Sequence, residues 1–232
     1  LENADNRKIE KSGTPRLLSL LHGSSYKPAG FESMYNILSR PGKQRFADSA
    51  KGHFRVHYDL NGANAPKLDD QDGNSVPDYV DSALVYLEIA WDAAVKLGYS
   101  TPKSDMGLGG SDAVDVYIQE LSNQRYYGYT SPDNSMLPIG SSYMVIDNDF
   151  KEDVYPSKGL DALKVTTAHE FFHVIHYSYY GGYDAVWWME HSAVWMEDYV
   201  WDTINDYVHY VGDFLNDRET SLDSSESYMY GA

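Results

Sequence analysis

His169-Glu170-Phe171-Phe172-His173 lies in a stretch of helical pattern from about 160 to 179, which Gly181-Gly182 ends. Trp187-Trp188-Met189-Glu190-His191-Ser192-Ala193-Val194-Trp195-Met196-Glu197 follows, with Asp184 placed to cap a second helix through Val200. Residues four apart on a helix stand one turn above each other, offset by about 40°, so His169 and His173 direct two imidazoles to one point. Glu170 stands about 100° from His169 and flanks that point. The glycine turn lets the second helix fold back against the first.

Two imidazoles with a carboxylate beside them suit zinc-dependent hydrolysis. Zinc brings the pKa of a bound water toward neutrality, and a carboxylate accepts the proton as that water attacks a polarised carbonyl. The His-Glu-x-x-His spacing carries this chemistry, which makes His169 and His173 candidate zinc ligands and Glu170 the candidate general base. A third ligand is still required. His176 shares their face but stands about 10.5 Å along the axis from His169, too far for one tetrahedral ion unless the helix breaks. It is read as a structural or pocket-wall residue. Glu190, on the returning helix with sixteen residues between it and His173, is the better candidate.

The spacing Trp187-x-x-Glu190-x-x-Ala193-x-Trp195-x-Glu197 resembles the glutamate helix of the gluzincin zinc metallopeptidases, the thermolysin and aminopeptidase superfamily. The likeness covers about residues 140–200, with its specific motifs in 169–197. The metzincin pattern fails, since its glycine and third histidine would fall at His176 and Tyr179. The gluzincin resemblance implies a zincin-like two-lobed catalytic domain, Glu190 as third zinc ligand, and Ser142 to Asp147 as an edge strand along which an extended peptide binds. Ala193 is small enough to let the two helices approach. Glu197, two turns beyond Glu190, is read as support for the ligands or as helix packing. The aminopeptidases' Gly-x-Met-Glu-Asn amine-binding loop is missing, which favours an endopeptidase. A downstream Tyr or His stabilises the oxyanion in these families; His209, Tyr228 and Tyr230 are the candidates here.

From Gly52-His53-Phe54-Arg55-Val56-His57-Tyr58 onward the chain is also similar to a group of secreted bacterial metalloproteases. Asp72-Gly73-Asn74-x-Val76-Pro77-Asp78-Tyr79-Val80, Gly109-Gly110-Ser111-Asp112 and Tyr127-Gly128-Tyr129-Thr130 carry that likeness together with the zinc motif. It implies a bacterial protein that is secreted or held at the cell surface, with 51–232 as the catalytic domain of a longer chain.

Upstream, Phe54, Val56, Tyr58 and Leu60 alternate with Arg55, His57 and Asp59, the period of a half-buried strand. Pro77 opens a helix with Val80, Leu84, Leu87, Trp91, Ala94 and Val95 on one face, stopped by Gly98. Val114, Val116 and Ile118 predict a second strand and Ser142 to Ile146 another, with a Gly-, Tyr- and Pro-rich stretch between them. A last helix is expected from Thr203 to Leu215. A strand, a helix, more strands and then helices give an α+β class: a mixed sheet with a backing helix and an active-site helix, then a helical C-terminal lobe.

Asp70, Asp72, Asn74, the Val76 carbonyl, Asp78 and Asp81 fall at positions 1, 3, 5, 7, 9 and 12 of a calcium loop. The loop looks like the half-EF-hands of dockerin and thrombospondin-type repeats, with Ser75 in place of the usual glycine and Asp81 in place of the usual glutamate. Asp147, Asn148 and Asp149 with Glu152 and Asp153 form a second acidic group, which could hold a second cation but is read as a solvated loop.

With 232 residues, 42% of them hydrophobic, the chain can bury a sizeable core, and no stretch approaches a membrane span. There are no cysteines, so rigidity must come from packing or bound ions. A net charge of -17 argues against nucleic acid as a partner; the zinc motif makes a protein or peptide substrate the expected partner, and a monomer is expected. The charge is uneven: residues 1–60 carry ten Lys/Arg against six Asp/Glu, and the acidic excess lies beyond. The basic leader, residues 1–50, is expected either as a solvated arm or first layer of the fold, or as a pro-segment or brace against the acidic body. The function read from these features is zinc-dependent peptide hydrolysis. The rival is a calcium-stabilised surface or adhesion module with a non-catalytic zinc site; a non-peptide bond as substrate also stays open.

Overall fold

A computed structural model describes residues 9–22, 39–134, 138–216, 219 and 221. Along the chain run β1 (Glu10–Ser12), α1 (Thr14–His22), β2 (Arg45–Asp48), β3 (Phe54–Tyr58), α2 (Asp78–Lys96), β4 (Val114–Gln119), β5 (Tyr126–Pro132), β6 (Ser142–Asp147), α3 (Gly159–Tyr179), α4 (Val186–Val200) and α5 (Val208–Asn216). The six strands form one mixed sheet in the order β1-β5-β6-β4-β3-β2. Pairing is parallel for β3 with β4, β4 with β6 and β1 with β5, and antiparallel for β5 with β6 and β2 with β3. The α+β class read from the sequence holds at this level.

Alternation in the strands sorts residues to two faces. Phe54, Val56, Tyr58, Val114, Val116, Ile118, Met144 and Ile146 face α2 and α3 in the main core. Tyr117, Tyr129, Tyr143 and Val145 face the other way and pack with Leu17 of α1 and with Leu121. The strand at Phe54 is therefore covered on both sides rather than half-buried, since His57 stacks on Tyr117 at 4.5 Å and bonds Asp115. Pro77 sits one residue before α2, and Gly98 ends that helix with φ +93°, a left-handed conformation that suits glycine. Val80, Ala83, Leu84, Leu87 and Ala90 line its buried face, while Val95 is exposed.

Four expectations need correction. Ser142–Asp147 is not an edge strand: β6 lies between β4 and β5 and is buried along its whole length. Its continuous Tyr-Met-Val-Ile run suits a strand covered on both faces. The Gly-, Tyr- and Pro-rich stretch is itself strand β5. Asp184 does not cap α4, which begins after Ala185; its carboxylate instead accepts from Tyr180 Oη at 2.8 Å. The last helix begins at Val208 rather than Thr203, because Asp206 turns inward and is buried beside Lys11. Residues 10–22 and 45–48, inside the expected leader, supply two strands and a helix to the same fold.

Candidate metal centre

α3 is buried on nearly every side from Ala162 to Ile175, because β5, β6, α2 and α4 all pack on it. This explains why its apolar residues show no single stripe, and it isolates the polar residues of the motif from water. His169, Glu170, His173 and, from α4, Glu190 are between 0 and 1% exposed. Ala193, fully buried one turn from Glu190, leaves room for α4 to approach α3.

The three candidate ligands converge. His169 Nε2 lies 3.2 Å from Glu190 Oε2, His173 Nε2 lies 3.0 Å from Glu190 Oε1, and the two Nε2 atoms are 3.1 Å apart. His169 Nδ1 donates to Glu197 Oε1 at 2.7 Å, which leaves its Nε2 lone pair for an ion. On the other ring a relay does the same. Ser192 Oγ donates to the Trp188 carbonyl at 2.7 Å and so accepts from His176 Nε2 at 2.9 Å. His176 Nδ1 is then an acceptor for His173 Nδ1 at 3.3 Å, and His173 Nε2 is again the free nitrogen. Burial, followed by the charges of His173 and His169, holds His176 well below the usual histidine range, which suits this neutral role.

Two nitrogen lone pairs and a carboxylate facing one another in a dry interior require a positive charge between them. Without a metal ion, protons supply it. Burial works against charge on His169, yet hydrogen bonds and charges of Glu190 and Glu197 outweigh it and push the ring up to about 10. Glu190 falls to about 2, burial again opposing and the nearby charge of His173 together with the His169 hydrogen bond winning. Glu190 Oε1 makes no hydrogen bond of proper geometry despite its nearness to His173, and Glu170 Oε1 makes none. A His2Glu donor set with unmet acceptors fits a divalent cation such as zinc.

Glu170 stands beside this set and points toward the sheet. Its Oε2 accepts from Thr130 Oγ1 of β5 at 2.8 Å and from Thr14 Oγ1 at 3.4 Å. It runs directly beneath Gly128, where a Cβ would come within 3.0 Å of Glu170 Cγ and 2.8 Å of the Val145 carbonyl. Burial raises its pKa. Among the described residues, Asp147, Asp149 and Glu152 are the second group with metal-ligating reach. Asp147 is not solvated as expected: it is fully buried, accepting from the amides of Leu121 and Phe150 and from Tyr155 Oη.

Of the other expected site residues, His209 stands exposed on α5 near Asp206, outside the buried cluster. Tyr228 and Tyr230 lie outside the described residues. The acidic loop winds as a coordinating turn would. Asp70 accepts from the amides of Gly73, Asn74 and Ser75, and Asn74 Nδ2 reaches Asp72 and Asp81 at 3.2 and 2.9 Å. Ser75 takes φ +71°, the conformation that a glycine would favour at that position. Asp78 Oδ2 is unpartnered. No sequence pattern pointed to Lys11 of β1, Thr14 at the start of α1 or Thr130 of β5, which meet this site from far away along the chain. Lys11 Nζ lies 3.0 Å from Glu197 Oε2 and also pairs with Asp206.

A scan of family models and searches of curated proteins and of solved structures found no match to this chain.

Proposed function

We propose that the protein is a zinc-dependent peptidase, cleaving within peptide chains, with His169, His173 and Glu190 holding the metal and Glu170 transferring protons. The observation that carries this reading is the convergence of both imidazole Nε2 atoms and the Glu190 carboxylate, with Glu170 alongside and not needed as a ligand. When bound, zinc would polarise the scissile carbonyl and acidify a water. Glu170 would take a proton from the attacking water as the new C–O bond forms, then deliver it to the leaving nitrogen as the C–N bond breaks. Glu197 and the Ser192–His176 relay hold the two imidazoles in the tautomers that binding requires. The zincin-like, two-lobed arrangement belongs to the same proposal. Its support is α3 lying against the sheet with α4 folded back to deliver Glu190. A calcium ion in the 70–81 loop and a place outside the cell complete the reading.

A surface module with a structural zinc site would have no use for Glu170. Glu170→Gln separates the two readings: bound zinc, measured by elemental analysis, should stay at the wild-type level, while hydrolysis of a fluorogenic peptide library falls by about 10²–10⁴-fold. Hydrolysis that survives this change with metal retained would defeat the mechanism.

A further inference from the structure

The metal ligands and Glu170 are shut off from solvent, although a peptidase must admit an extended chain. Part of what shuts them off is the chain's own residues 9–22. β1 runs along the outer edge of β5, pairing Glu10 with Tyr126 and Ser12 with Gly128. The Glu10 amide donates to the Arg125 carbonyl at 2.9 Å and the Gly13 amide to the Gly128 carbonyl at 2.8 Å. Thr14 Oγ1 accepts from the Thr130 amide at 2.8 Å and reaches Glu170 Oε2. β1 therefore lies alongside β5 at Gly128, the residue directly above Glu170, and takes the backbone groups with which an incoming peptide would pair. Leu18 then seats α1 on Tyr177, Val186 and Met189, at the end of α4 that carries Glu190.

We propose that Ile9–His22 is a self-inhibitory segment that occupies the substrate's place along β5 and must lift away before the site can act. The proposal rests on the peptidase reading. The manner of seating supports it. A three-residue strand contributes few backbone hydrogen bonds, and the main polar anchor is Lys11, buried between Asp206 and Glu197 and 4.4 Å from the centre of the Tyr127 ring. A buried ion pair specifies one register for the segment, and lifting the segment as a whole returns its charged partners toward water rather than leaving them sealed in. Lys11 also ties the segment to Glu197, the carboxylate that orients His169, so its departure is felt at the metal ligands.

The test uses the zinc-loaded full chain and Leu18→Asp, which puts a charge into the seat of α1. Three rates are measured: zinc transfer to a chromophoric chelator, hydrolysis of a quenched fluorescent peptide, and amide exchange across the wild-type chain. In the wild type, amides of 10–21 should exchange through openings at least about tenfold more frequent than those of α3. Leu18→Asp should raise chelator transfer and hydrolysis by at least about tenfold, and a synthetic peptide of residues 9–22 should reverse both. If the segment exchanges only with α3, or if wild-type hydrolysis already equals that of a folded variant, the self-inhibition is refuted while the peptidase reading stands. Faster chelator transfer, reversed by the peptide but with no hydrolysis in either form, would leave the segment as the site's cover and defeat the peptidase reading instead. Should Leu18→Asp fail to fold, the wild-type exchange measurement decides alone.

Discussion

At the scale of single residues, the ring nitrogens that face away from the ligand point decide whether an ion can be held. Glu197 fixes His169 through Nδ1, and the Ser192–His176 relay fixes His173. Glu197→Gln keeps an acceptor but removes its charge, so zinc affinity should fall by about 10-fold, and His176→Phe, which breaks the relay, should cost about 10–100-fold. Competition with a chromophoric chelator reads both, and an unchanged affinity in either variant would show that the ring in question is oriented by other contacts. His169 and His173 could be read from the sequence because helical geometry alone places residues four apart on one face. Glu190 was legible once a second helix could be laid against the first. Thr14, Thr130 and Lys11 were not, since single polar residues on distant elements carry no local pattern that predicts where they meet.

The elements show the same division. Helices with a strong period or a continuous apolar run were legible to within a residue or two, as α2 and α3 demonstrate. β5 was hidden, because Tyr-Tyr-Gly-Tyr-Thr-Ser-Pro mixes turn formers with aromatics and lacks clean alternation; its pairing with β1 and β6 makes it a strand. The 70–81 loop at the start of α2 supports a prediction at this scale. Asp81 is raised by burial, against the Asn74 hydrogen bond, and by the nearby carboxylates of Asp72, Asp70 and Asp78, a crowd that a bound cation would relieve. Calcium at about 100 times its dissociation constant should add about 2.7 kcal/mol, or roughly 5–10 °C in thermal midpoint for a chain of this size. Asp72→Ala should abolish the difference between calcium and EGTA. A midpoint indifferent to both in the wild type would remove calcium from the loop.

For the whole molecule, the basic beginning of the chain meets the acidic end of the fold at one buried contact, Lys11 with Asp206 and Glu197. Lys11→Met would strand two buried carboxylates and should cost about 3–5 kcal/mol at pH 7, seen as a lower urea midpoint. Burial pushes the Asp206 carboxyl up, but the charge and hydrogen bond of Lys11 outweigh it and hold its pKa below the usual range. A carboxyl depressed in the folded state stabilises above its unfolded pKa of about 3.9 and loses that contribution as pH falls through the folded value. The gap between wild type and Lys11→Met should therefore narrow below about pH 4. A gap constant from pH 7 to pH 3 would mean that the charge pair contributes nothing and only packing is lost.

The sequence by itself determined the α+β class, the principal helices, the alternating strands flanking them and the pairing of His169 with His173 beside Glu170, because each of these rests on periodicity or on spacing within one or two turns; Glu190 needed a second helix folded back on the first. Only the tertiary structure decided which strand borders the site and what lies along it. Strand order depends on pairings between residues more than a hundred positions apart, such as Ser12 with Gly128, and no local propensity encodes a partner at that distance. Ser142–Asp147 thus moved to the interior of the sheet, and the strand beside Glu170 is β5, with residues 10–14 of the same chain laid against it as the sheet's edge.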